Sequence, residues 1–104
     1  MKKVLKLGIL VNTDRHRDHV TGIAKAAVSK GHEVIIFIMD DGVKLLTDPG
    51  ISALSMLKGI RIGICKNSAR TLGVATEGVS PEIEEGSQYF NAVMNRDADK
   101  VIVL

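Results

Sequence analysis

Two apolar runs, residues 4–11 and 32–39, constrain this chain more than anything else in it. In the first, Val4, Leu5, Leu7, Gly8, Ile9, Leu10 and Val11 follow one another too closely for a strand with one wet face. Such continuity predicts a strand buried on both sides, the habit of parallel sheets covered by helices. The second run, with Val34, Ile35, Ile36, Phe37 and Ile38, repeats the pattern. Between them Val20, Ile23, Ala24, Ala27 and Val28 recur at three- and four-residue spacing, which predicts a helix over 18–30, and Gly31 stands where a C′ glycine belongs. Strand, helix and strand close a βαβ unit, expected to be parallel and right-handed.

Beyond it, Asp40-Asp41-Gly42 punctuates the chain. Val43, Leu45 and Leu46 suggest a helical turn broken at Asp48-Pro49-Gly50, and residues 51–58 resume helical spacing. After Gly59, Ile60, Ile62 and Ile64 open a third strand that delivers Cys65 at its carboxyl end. A short helix over 66–72 stops at Gly73, and Glu77-Gly78-Val79 reads as a turn. Ser80-Pro81-Glu82 reads as a helix start, with Ile83, Phe90, Val93 and Met94 on one broad face, and residues 100–104 as a closing strand. The alternation predicts one α/β domain over 1–104, a three-layer sandwich whose mostly parallel sheet of four to five strands has helices on both faces.

Composition narrows the function. With Phe37, Tyr89 and Phe90 as the only aromatics and 45% hydrophobic residues, the core must be aliphatic. Fourteen basic against 12 acidic residues, mixed along the chain, mark no nucleic-acid or membrane surface. No apolar run approaches the ~20 residues of a spanning helix, and the start Met1-Lys2-Lys3-Val4-Leu5-Lys6 is broken by Lys6 before a signal-like region develops, so a cytoplasmic protein is expected. A single cysteine fits a reducing compartment and leaves Cys65 either a small packing residue or a working thiol.

In open parallel sheets ligands gather beyond the carboxyl ends of the strands, near the point where strand order reverses. If strand one lies between strands two and three, as in flavodoxin, Cys65 follows strand three beside that crevice, with residues 12–15 as neighbours. Backbone N–H groups at the helix start favour a thiolate, and Lys66 and Arg70 add positive charge. Asn67 or Ser68 could add a hydrogen bond to the sulfur. Against this stands a cysteine that merely fills space.

Other chemistries fit poorly. Cys65 and Arg70 are separated by four residues, where a cysteine phosphatase loop needs five, and glycines to cradle a phosphate are missing. Cys65 to Ser68 matches a monothiol Cys-x-x-Ser only weakly, since neither Pro49 nor Pro81 is suitably placed. A receiver domain would want Asp where Cys65 stands, and neither common nucleotide-binding glycine loop occurs. Asp14, His16, Asp18 and His19 have metal-ligand character, but two histidines without a firm third ligand make a poor site. No metal and no cofactor is expected. Asp40 and Asp41 are read as helix-capping residues.

The order of these features resembles the DsrE/DsrF-like sulfur-relay family, which includes TusD-type carriers. The features are Lys30-Gly31-His32-Glu33-Val34 closing the first helix, Asp41-Gly42-Val43, a third strand ending in cysteine, Cys65-Lys66-Asn67-Ser68-Ala69-Arg70-Thr71-Leu72-Gly73, and Glu77-Gly78-Val79. The likeness spans nearly the whole chain. It implies a flavodoxin-like sheet, a homo-oligomer (trimer or hexamer), and a persulfide accepted on Cys65 from a donor protein and passed to an acceptor protein. Ala69 and Gly73 match small helix positions, while Arg70 is displaced from the family's usual Arg-Gly. The expectation is a sulfur carrier with Cys65 as its reactive residue, Lys66, Asn67, Ser68 and Arg70 in support, and a pocket of Asn12, Thr13, Asp14, Asp41 and Gly42. Its rivals are a non-catalytic module binding a small ligand or a protein in that pocket, with Cys65 structural, and an oligomeric scaffold or regulatory subunit.

Overall fold

In the computed structural model, which describes residues 3–77 and 79–104, the chain runs β1 (Lys6–Val11), α1 (Arg17–Ser29), β2 (Glu33–Ile38), a 3₁₀ segment (Asp40–Thr47), α2 (Pro49–Ser55), β3 (Ile60–Cys65), α3 (Lys66–Thr71), β4 (Ile83–Gly86), α4 (Gln88–Asp97) and β5 (Lys100–Val103). The five strands form one all-parallel sheet in the order β4-β3-β2-β1-β5. The α/β architecture read from the sequence is therefore present. The flavodoxin order is not, because β1 is flanked by β2 and β5 rather than by β2 and β3. The first three connections each add the next strand on the same side. Only α4 carries the chain back across the sheet, to the free edge of β1, so strand order reverses between β1 and β5 and not beside β3.

A second difference concerns residues 80–87. No helix starts at Ser80-Pro81-Glu82; Ile83–Gly86 is instead an edge strand paired with β3, from Ile62↔Ile83 to Cys65↔Gly86. Only Ile83 of its four residues is buried, so the strand lacks the apolar alternation that would announce it. Helix α4 begins later, behind Ser87, whose hydroxyl accepts from the Tyr89 N–H at 3.2 Å. In the turn read at Glu77-Gly78-Val79, Gly78 lies outside the described residues, as do Met1 and Lys2 of the N-terminal start.

Strand periodicity sorts the side chains into two layers. Ile9, Val11, Val34, Ile36, Ile38, Ile60, Ile62 and Ile64 point to one face, where Val20 and Ala24 of α1, Val43 and Leu46 of the 3₁₀ segment, and Ile51 and Leu54 of α2 cover them. Each such side chain taken fully out of water contributes about 1.5–3 kcal/mol, so this face carries most of the stability. The opposite face has a smaller core of Phe37, Cys65 and Met94, with Leu10, Ile35, Met39 and Phe90 partly buried against it. Helix α4 covers it. Phe90 stacks on Phe37 with ring centroids 5.4 Å apart, and a side chain at Gly63 would meet the Phe90 ring at 2.6 Å. Glycine is what lets α4 approach the sheet there.

The break at Pro49 is built as its chemistry suggests. Asp48 caps α2 by accepting from the Gly50 and Ile51 N–H groups at 2.8 and 3.3 Å, with Pro49 in the first turn. Among the described residues, no helix is long and apolar enough to cross a membrane.

Candidate functional site

Strand β3 alternates isoleucine with Arg61, Gly63 and Cys65, so the isoleucines serve the thick layer and the cysteine turns to the α4 face. Cys65 also caps α3: its backbone is extended (φ −78°, ψ 109°) and its Sγ accepts from the Ser68 N–H at 3.5 Å. The residue is only 4% exposed, and it forms part of the floor of an open cleft of about 550 Å³. One wall of that cleft is Lys66, Asn67, Ser68 and Arg70 of α3, and the other is Gly86, Ser87 and Gln88. Met39 and Asp40 close the third side.

Ser68 is held in place from behind. Its Oγ accepts from the Asp40 N–H at 3.0 Å, which leaves the hydroxyl proton to donate to the sulfur. Asp40 reaches that geometry with a positive φ of 48°, a conformation costly for a non-glycine residue and often stored at sites. Across the cleft, Gln88 Nε2 lies 3.9 Å from Cys65 Sγ and 3.7 Å from Met39 Sδ. Burial, the strongest single influence, pushes the Cys65 thiol up. The Ser68 hydroxyl, the Ser68 and Asn67 N–H groups and the Gln88 amide outweigh it together, and hold the thiol below its ordinary range. Hydrogen bonding to the anion is what outweighs burial here.

The other residues expected at the site divide. Asn12 and Asp41 line a neighbouring cleft of about 480 Å³ that shares Asp40, Asn67 and Ser68 with the first. Asp41 pairs with Lys44 at 3.3 Å, and neither Asp40 nor Asp41 caps the 3₁₀ segment with its side chain. Thr13 and Asp14 line neither cleft; the Thr13 Oγ accepts from the Arg15 N–H at 3.4 Å. Gly42 lines neither as well. It is buried where an added side chain would meet the Val11 carbonyl at 2.5 Å, so it allows the 3₁₀ segment to pass close over the end of β1. His16 and His19 meet edge to face at 5.8 Å, Asp18 pairs with Arg17, and among the described residues no three His, Cys, Asp or Glu side chains gather as a metal site.

Gln88, Met39 and the Gly86-Ser87 corner escape a reading of the sequence, and Asp40 is found there only as a helix-capping residue. The signal for Gln88 is Gly86-Ser87 itself, a strand-ending glycine followed by a good helix cap.

The DsrE/DsrF-like family profile matches residues 6–104. The chain belongs to that family. Its fold is similar to two solved structures of low sequence identity. The YchN protein of E. coli superposes with a TM-score of 0.73 at 13% identity, covering 98% of this chain and 100% of that one. MTH1491 of Methanobacterium thermoautotrophicum, described as a protein of unknown function, gives 0.70 at 14% identity, covering 96% and 99%. At such identities the likeness concerns the fold. A comparison with curated proteins found no match. The family assignment spans every element from β1 to β5, and with them the whole of the Cys65 cleft.

Proposed function

We propose that this DsrE/DsrF-like protein carries sulfur as a persulfide on Cys65. The observation that carries the reading is the convergence of donors on one sulfur at an open cleft: the Ser68 N–H at 3.5 Å and the Gln88 amide at 3.9 Å. A thiol held as its anion is the form that attacks sulfur. The Cys65 thiolate attacks the outer sulfur of a donor persulfide R–S–SH; the new Sγ–S bond forms as the donor S–S bond breaks, and R–S⁻ leaves. An acceptor thiolate then attacks the outer sulfur and displaces the Cys65 thiolate. Neither step changes the net oxidation state, and neither calls for a metal or a cofactor. Lys66 and Arg70 on the rim favour anionic partners.

The setting of the exchange, on this reading, is the cytoplasm, between a donor protein and an acceptor protein. A homo-oligomer, trimer or hexamer, suits a sheet edge that leaves Val101 and Val103 exposed. A binding module with a structural cysteine is the second reading, and it has its own observation: Cys65 packs with Phe37 and Met94.

Intact-mass analysis after incubation with a small persulfide donor decides between them. A gain of one sulfur in the parent and none in Cys65→Ser is the expected result. An unmodified parent whose Cys65 reacts with alkylating agents no faster than an ordinary thiol would make the cysteine structural.

A further inference from the structure

We propose that Gln88 is a donor that fixes the Cys65 sulfur as an anion, with Asn91 the positioning residue that turns its amide toward the sulfur. Gln88, Asn91 and Asn95 are spaced three and four residues apart on α4 and so share one helix face. Asn95 Nδ2 donates to Asn91 Oδ1 at 3.2 Å, and Asn91 Nδ2 donates to Gln88 Oε1 at 3.3 Å. The ladder ends at the two sulfurs, with Gln88 Nε2 3.9 Å from Cys65 Sγ and 3.7 Å from Met39 Sδ.

Direction is what gives the ladder a meaning. The Met39 thioether has no hydrogen to donate, so the end of the Gln88 amide that faces it must be its NH₂, and that same end faces the Cys65 sulfur. In that orientation the Gln88 carbonyl is the acceptor for the Asn91 NH₂. Although Gln88 is exposed, its NH₂ is turned to the two sulfurs.

Charged groups reach the cleft from other elements: Asp40 from the 3₁₀ segment, and Lys66 and Arg70 from α3. The β4–α4 corner contributes Gly86, Ser87 and Gln88, none of them charged. Gln88 is also the one donor to Cys65, among those the described residues supply, that does not belong to α3. Removing it therefore leaves α3 and its charges untouched, which makes its contribution separable.

The inference rests on the reading of Cys65 as the working thiol, but its test does not need a sulfur donor. Alkylation rate is measured across pH in the parent, Gln88→Leu, Asn91→Ala and the double variant. Gln88 is exposed and Asn91 only half-buried, so the variants keep the fold, with unchanged thermal midpoints as the check. Gln88→Leu raises the midpoint of the profile by about half a unit to one unit, roughly three- to tenfold less thiolate below the midpoint. Asn91→Ala raises it by less, and the double variant matches Gln88→Leu alone, because Asn91 acts through Gln88. An unshifted profile in Gln88→Leu overturns the proposal, as does a double variant whose shift is the sum of the two singles. A raised midpoint in a protein that gains no sulfur would sink the carrier reading and leave the ladder standing. Normal sulfur loading with an unshifted midpoint would do the reverse.

Discussion

Replacing Gly63 by alanine tests how the α4 face is assembled. The added methyl would stand 2.6 Å from two ring atoms of Phe90 and 2.9 Å from a third, whereas carbon atoms rest at about 3.5–4.0 Å. The ring must retreat by about 1 Å. Two contacts depend on its present place: the stack on Phe37 at 5.4 Å, worth about 0.5–1.5 kcal/mol, and the Arg61 guanidinium 4.8 Å over the ring, worth about 0.5–1 kcal/mol. Losing much of both costs about 1–2.5 kcal/mol. The smaller unfolded-state entropy of alanine offsets about 0.4–1 kcal/mol of this. A net loss of about 1 kcal/mol follows, and in a chain of this size that lowers the thermal midpoint by about 4–8 °C. Calorimetry of Gly63→Ala in the parent and in a Phe90→Ala background measures it. The penalty should vanish or reverse once the ring is gone. An equal penalty in both backgrounds, or a parent stabilised by the substitution, would refute the account of Gly63 as the seat of the Phe90 ring.

Two further outcomes follow from the same contacts. Ser68→Ala removes both the hydroxyl donor to Cys65 and the acceptor for the Asp40 N–H, so the alkylation midpoint rises by about one unit. The depressed Cys65 thiol gives the fold stability that is present above the unfolded value of ~8.5 and lost as pH falls through the folded value; urea midpoints of Ser68→Ala should show a smaller gain over that window, and an unchanged gain would count against the hydroxyl. Asp48→Ala costs about 0.5–2 kcal/mol at neutral pH through the lost cap on α2. Burial pushes the Asp48 carboxyl up, but Arg17 and the Gly50 and Ile51 N–H groups hold it below the usual range. Its contribution is thus present above ~3.9 and lost as pH falls through the folded value, and the gap between variant and parent should close in acid urea titrations.

What the sequence made legible was whatever buries a continuous apolar run. Strands β1, β2 and β3 announce themselves because both of their faces are covered, and the isoleucine alternation in β3 locates Cys65 at the strand end without any knowledge of the neighbours. Strand β4 was hidden because it lies at the edge with only Ile83 buried, and because Ile83 and Phe90 are seven residues apart, a spacing equally suited to one helix face. That single misreading concealed Gln88 as well, since a helix running from Ser80 leaves no corner at Gly86-Ser87. Strand order was not readable, because it depends on how far α4 carries the chain, which no local pattern records.

The place of Cys65 follows from parity and from parallel topology together. Because Ile60, Ile62 and Ile64 alternate onto the thick layer, Cys65 shares the other face with Gly63 and Arg61; a shift of one residue would have turned the sulfur under α2 instead. In a parallel sheet every connecting helix returns from the carboxyl edge of the strands to the amino edge, so helix starts and strand ends meet along one border. A cysteine that is the last residue of a strand thus meets its own helix start, α3, with the Asn67 and Ser68 N–H groups. Here it meets a second one, because Cys65 is opposite Gly86 in the register and α4 begins two residues later. Along β3 the same helix is over Gly63 at Phe90, so α4 advances down the strand as the chain of β3 is retraced. Gln88 therefore reaches the sulfur as a consequence of topology, and the misordering of one edge strand would remove it even with every residue of α3 in place.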